Sequence, residues 1–120
     1  MGASQRRKGA SGEREACKAL TEHIGGTWTR SGSAQRRRGT GKPADVVSPQ
    51  YPELFIEVKR GKSIGLWAAL KQATEQAGDG QVPVVLARRD NGKWVVVVEL
   101  AWVGIFVGLV SEILGYWNRP

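Results

Sequence analysis

The chain has 120 residues, a length that suits one domain built on one core. Its net charge of +7 and pI near 10.1 point to an anionic partner, nucleic acid before an acidic membrane surface. A single cysteine, Cys17, excludes an internal disulfide and a Cys-rich zinc site, and a single histidine, His23, removes most nuclease classes that need a histidine base or a histidine-rich metal centre.

Met1 to Gly12 is polar and basic, with no apolar core of a signal peptide. Residues 1–11, carrying Arg6, Arg7 and Lys8, read as a flexible basic arm. A first helix is expected from about Gly12 to Ile24, because Ala16, Cys17, Leu20 and Ile24 fall at helical spacing. Gly25-Gly26 ends it. A short strand, Thr27 to Ser31, leads into a Gly-rich basic loop from Gly32 to Lys42. Asp45-Val46-Val47 reads as a strand, Ser48 to Pro52 as a turn, and Leu54 to Lys59 as the next strand, broken by Gly61. A second helix fits Ile64 to Ala77, with Trp67, Leu70 and Ala77 on one face. Val82 to Ala87 and Trp94 to Leu100 have strand length, and Asp90-Asn91-Gly92 between them signals a hairpin. A last helix, about Trp102 to Tyr116 within the apolar stretch 101–117, closes the chain. The longest uncharged apolar run, Leu100 to Ser111, falls short of the ~20 residues a membrane span needs. The expected order is α-β-β-β-α-β-β-α in a single domain, acting in the cytoplasm.

Chemistry concentrates on the central strand. Side chains alternate along Phe55-Ile56-Glu57-Val58-Lys59, so Glu57 and Lys59 share one face while Ile56 and Val58 share the other. A hairpin turning through Ser48–Pro52 brings Asp45 beside Glu57. Two neighbouring carboxylates repel and need a cation. Mg²⁺ suits them, preferring hard oxygen ligands, with the Val58 carbonyl as a further donor and Mn²⁺ as a substitute. Such an ion offsets charge building on a phosphate, and Lys59 is placed to hold the attacking water and face that phosphate. Glu13 lies on the stripe of Cys17, Leu20 and Ile24 at spacings of four, seven and eleven. A carboxylate on an inward stripe is costly unless paired or metal-bound, so Glu13 is a candidate third acid.

These segments resemble the archaeal-type Holliday junction resolvases of the PD-(D/E)xK nuclease superfamily. The resemblance rests on Arg7-Lys8-Gly9 before Glu13-Arg14-Glu15, on Thr29-Arg30-Ser31, on Asp45-Val46-Val47 and on Ile56-Glu57-Val58-Lys59. It extends to Val82-Pro83-Val84-Val85-Leu86-Ala87 with the Trp-bearing strand that follows, so it covers roughly residues 6–100. It implies an α/β fold with a central mixed five-stranded sheet flanked by helices. It also implies metal ligation by Asp45 and Glu57, a catalytic Lys59, a contributing Glu13, DNA contacts from Arg14 and Arg30, and a homodimer with two active sites. The chain departs from the pattern in its longer, more basic loop, in Ala44 between Pro43 and Asp45, and in its apolar C-terminal helix. Phage-borne and other small nucleases share this core.

The arm residues Arg6, Arg7 and Lys8 and the loop residues Arg36, Arg37, Arg38 and Lys42 are expected on DNA, together with Arg60 and Lys62 beside the central strand. Gly41-Lys42 and Gly61-Lys62-Ser63 lack the glycine spacing of a phosphate loop, so no nucleotide cofactor is expected. Gln72 or Gln76 can position water near Lys59. Trp67, Trp94 and Trp102 read as core, and His23 and Cys17 as a surface and a packing residue. The last helix is apolar around most of its circumference, which predicts a dimer interface on Trp102, Phe106, Val107 and Val110. The expected activity is Mg²⁺-dependent resolution of four-way junctions. The alternatives are a less selective nicking or restriction-like nuclease and an inactive DNA-binding protein of the same fold.

Overall fold

The computed structural model describes the backbone of residues 3–31 and 43–117 and the side chains of residues 9–31 and 43–112. The elements run α1 (Ala3–His23), β1 (Thr29–Arg30), β2 (Val46–Val47), β3 (Leu54–Gly61), α2 (Leu66–Gln76), β4 (Val82–Arg89), β5 (Val95–Val97) and α3 (Leu100–Trp117). This is the order the sequence predicts. The strands form one mixed five-stranded sheet in chain order, in which β3 and β4 are parallel and the other neighbours antiparallel. The α/β fold is compatible with the PD-(D/E)xK nuclease core.

Helix α1 begins at Ala3, so residues expected as an arm continue the helix instead. Nucleation is the costly step of helix formation and propagation is cheap, so a packed second half can carry polar turns before it. Gly12, read as a boundary, is a close-approach position: a Cβ there would stand 3.4 Å from the Arg60 Cβ. The helix does end at Gly25-Gly26. Gly25 takes φ 93° and caps α1 through its N–H to the Leu20 and Thr21 carbonyls, both 3.1 Å. The Trp28 indole donates back to the Gly25 carbonyl at 2.6 Å, and its ring is buried.

Two apolar layers sandwich the sheet. On one face Leu54, Ile56, Val82, Val84 and Leu86 meet Ala16 and Leu20 of α1, with Val58, Trp94, Trp102, Phe106 and Leu109 packed around them. On the other, Phe55, Val85 and Ala87 meet Ala69, Leu70 and Ala73 of α2. Strands β3 and β4 pair over eight residues and are covered on both sides, which accounts for their near-continuous apolar runs. The Asp90-Asn91-Gly92 turn closes the β4–β5 hairpin with Asn91 at φ 64°.

One sequence expectation fails here. Trp67 is 85% exposed, because α2 turns its small residues Ala69 and Ala73 to the sheet and leaves Trp67 well off that line. Trp102, expected as core, packs there with Phe106 and Leu109, and all three stay partly exposed. Their spacing of four and three is one helical stripe. The exposed large apolar side chains of α3 among the described residues are Leu100, Val103, Ile105 and Val107, the last of them an expected interface residue. Among the described residues, no helix is long and apolar enough to cross a membrane.

Candidate active site

Glu57 is the only acidic side chain among the fully buried residues described, at 0% exposure in the middle of β3. Its neighbours in sequence, Ile56 and Val58, belong to the α1–α3 layer, so strand alternation turns Glu57 and Lys59 toward α2. Asp45 lies at the entry to β2 and grips β3 on both sides of Glu57. Its N–H donates to the Ile56 carbonyl at 2.9 Å, and its Oδ2 accepts from the Val58 N–H at 2.9 Å. The carboxylate thus stands where the next backbone rung of the β2–β3 ladder would fall. Both contacts use the β2 edge of β3, and the alternation of backbone groups turns the Val58 carbonyl to that same edge.

Lys59 is half-buried and donates from Nζ to Gln72 Oε1 of α2 at 3.4 Å. A cavity of about 270 Å³ opens beside this pair, lined by Lys59, Arg60, Ser63, Gly65, Ala68 and Gln72 among others. Of the two glutamines read from the sequence, Gln72 is therefore the one that meets the lysine.

The donor chemistry fits a hard divalent cation. Asp45 and Glu57 would supply carboxylate oxygens from neighbouring strands, and the Val58 carbonyl faces the same edge. Glu13, the candidate third acid, meets a cation. It arrives on α1, the layer of the opposite sheet face, and its Oε1 accepts from Arg30 Nε at 2.9 Å. Among the described residues no three His, Cys, Asp or Glu side chains gather as a metal-holding group. The inward position of Glu13 is thus met by ion pairing.

The expected DNA contacts scatter. Arg14 and Lys62 are exposed, and Arg30 is tied to Glu13. Arg60 is tied to Glu15 at 3.5 Å. Arg6, Arg7 and Lys8 lie on α1 with side chains outside those described, and Arg36, Arg37, Arg38 and Lys42 lie outside the described residues. Sequence reasoning passed over Arg88, which also meets Glu15 at 3.5 Å. Arg60 and Arg88 are register partners on the parallel strands, and Glu15 bridges them. The shared register of β3 and β4 was the signal that could have joined them.

Two groups of the α1–α3 layer have displaced acidities. The Cys17 thiol is pushed up by burial first and by the Glu13 carboxylate second, with Arg30 opposing. The Tyr51 phenol is pushed up by desolvation and then by Glu112, whose Oε2 accepts its hydroxyl at 3.5 Å.

A family model described as "Phage putative PDDEXK endonuclease" matches residues 4–106. No curated protein and no solved structure gives a match. Enzymes of the PD-(D/E)xK type generally depend on a divalent metal, and the family is one of endonucleases. The match spans most of the chain, from α1 through the first turns of α3, and takes in Asp45, Glu57 and Lys59. The chain belongs to this phage family of PD-(D/E)xK endonucleases.

Proposed function

We propose that the protein is a Mg²⁺-dependent endonuclease that hydrolyses phosphodiester bonds in branched DNA, with four-way junctions its foremost substrate. The observation that carries the reading is the fully buried Glu57 bracketed by the two Asp45 contacts, with Lys59 next on the same face. Asp45 and Glu57 hold the ion, with the Val58 carbonyl as a further donor. The ion supplies charge neutralisation at the phosphate. Lys59 orients the attacking water and the phosphate oxygen, and Gln72 fixes the direction of its ammonium. Glu13 serves by holding Arg30. The net charge of +7 supports phosphate binding, in which Arg14, Lys62 and the loop residues Arg36 to Arg38 take part. Mn²⁺ replaces Mg²⁺, and the site of action is the cytoplasm.

The same reading includes a homodimer. The exposed Leu100, Val103, Ile105 and Val107 of α3 support it, since scattered apolar residues on one helix form a patch that self-association can cover. Sedimentation should give a dimer mass that Val107→Glu reduces.

The deciding experiment is a cleavage panel in Mg²⁺ comparing a four-way junction, a fork, a linear duplex and a single strand. Preferential cutting of the junction supports the proposal. Equal cutting of linear duplex makes the enzyme a less selective nuclease, and no cutting of any substrate in Mg²⁺ or Mn²⁺ overturns the catalytic reading.

A further inference from the structure

We propose that a groove between the first turn of α2 and the β4–β5 hairpin binds unpaired nucleotides of the DNA substrate, with Trp67 as a base-stacking platform. The proposal rests on the nuclease reading and adds where that substrate's unpaired nucleotides are held, as a fork carries them or as a branch point opens.

The groove is a cavity of about 490 Å³ lined by Ile64, Leu66, Ala87, Arg89, Gly92, Lys93 and Val95. Its lining holds two cations and no acid. Leu66 and Val95 are exposed large apolar residues at 36% and 47%, and Trp67 follows Leu66 in the same turn at 85%. A tryptophan left in water on a helix that has buried its small residues is unexplained by packing. Aromatic faces flanked by arginine and lysine are how sequence-tolerant sites hold single strands: rings stack bases while cations meet phosphates. Unpaired bases expose the faces such a platform needs, whereas a blunt duplex keeps them stacked.

Position ties the groove to the chemistry. Lys59, Ala87 and Val95 are successive register partners across β3, β4 and β5, so they form one row on the α2 face. Two strand spacings separate Lys59 from Val95, roughly 10 Å. The first turn of α2 divides the groove from the cavity beside Lys59, and Ile64 lines both. Trp67 stands on this same turn, outside the lining of both cavities and open to solvent, where a strand with its phosphate at Lys59 would cross from one cavity to the other.

The test measures binding of the full chain without metal, by anisotropy of a labelled oligothymidine and of a blunt duplex. Trp67→Ala should weaken oligothymidine binding about tenfold, the scale of one base–aromatic stack, and leave the duplex unchanged. Trp67→Phe should restore most of the loss. Arg89→Ala with Lys93→Ala should weaken the same complex and reduce its salt slope by about 1.4, the single-strand value for two lost phosphate contacts. Each altered side chain is exposed, so melting temperatures should match the parent. Unchanged oligothymidine binding by Trp67→Ala overturns the proposal, as does an equal loss on both DNAs. A fall in sedimentation mass without a binding change also overturns it and assigns the patch to a second copy of the chain. Binding is read without metal, so this result and the cleavage panel fail separately.

Discussion

Ile56 and Glu57 are neighbours on β3, both buried, yet they face layers of different chemistry. Ile56 enters a layer of Leu, Val and Trp side chains between the sheet, α1 and α3. Glu57 faces α2, whose inner residues are Ala69, Leu70 and Ala73, with Lys59 and Gln72 close by. The first layer gives up apolar area to hold the fold. The second uses small residues, which let polar groups be buried close to the sheet and leave cavities at its edge. One strand thus packs apolar residues on its even positions and, after the core residue Phe55, carries the candidate catalytic side chains Glu57 and Lys59 on its odd ones, and the two can be perturbed separately.

The sharpest separation should come from Glu57→Gln and Asp45→Asn. Each removes a charge that holds the ion, and cleavage should fall about a thousandfold, the size of a Lewis-acid contribution of several kcal/mol. DNA affinity should persist, because phosphate contacts come from Lys and Arg. Full cleavage by Asp45→Asn at saturating Mg²⁺ would remove the odd face from the chemistry. Ile56→Ala is the mirror experiment. It should cost about 2–5 kcal/mol in chemical denaturation, as buried large-to-small changes do, while the folded fraction keeps its cleavage rate. A comparable stability with a lost rate would break the division between faces.

Metal linkage gives a smaller effect on the same axis. Mg²⁺ at about a hundred times its dissociation constant should stabilise the parent by about 2.7 kcal/mol, since an ion that binds only the folded state adds its binding energy. Asp45→Asn should abolish that shift, and Ile56→Ala should keep it. A Mg²⁺ shift retained by Asp45→Asn would move the ion elsewhere.

The division was readable in part. Period-2 alternation in Phe55–Lys59 is enough to separate Glu57 from Ile56, and turn chemistry at Ser48–Pro52 and Asp90–Gly92 is enough to order the strands. Helix faces were harder. Trp67 and Leu70 sit at a spacing that allows a shared stripe, but which stripe faces the sheet depends on how close α2 can approach. Its alanines decide that, and they carry little hydrophobic weight in a sequence pattern. The partner of Glu13 was hidden differently: its ion pair is with Arg30, whose position depends on β1 joining the sheet edge. Apolar patterning could not divide α3 either, since Trp102 and Val107 look equally buried until the core selects the Trp102–Phe106–Leu109 stripe.

The finest test of the comparison uses Cys17, which reports the electrostatics of the α1 face. Its thiol is raised by burial and then by Glu13, so alkylation near neutral pH should be slow and should quicken as pH rises. Glu13→Gln removes a negative charge, which lowers the thiol's pKa and enlarges the thiolate fraction. The rate should rise about twofold, the scale of a partly screened interaction of under 1 kcal/mol offset by the lower nucleophilicity of a weaker base. Mg²⁺ should leave the parent rate unchanged, because Glu13 is engaged by Arg30 on the face opposite Glu57. An acceleration by Mg²⁺ that vanishes in Glu13→Gln would show the ion drawing Glu13 toward it. In that case α1 would take part in the chemistry, and the boundary between the two faces would run through the helix instead of the sheet.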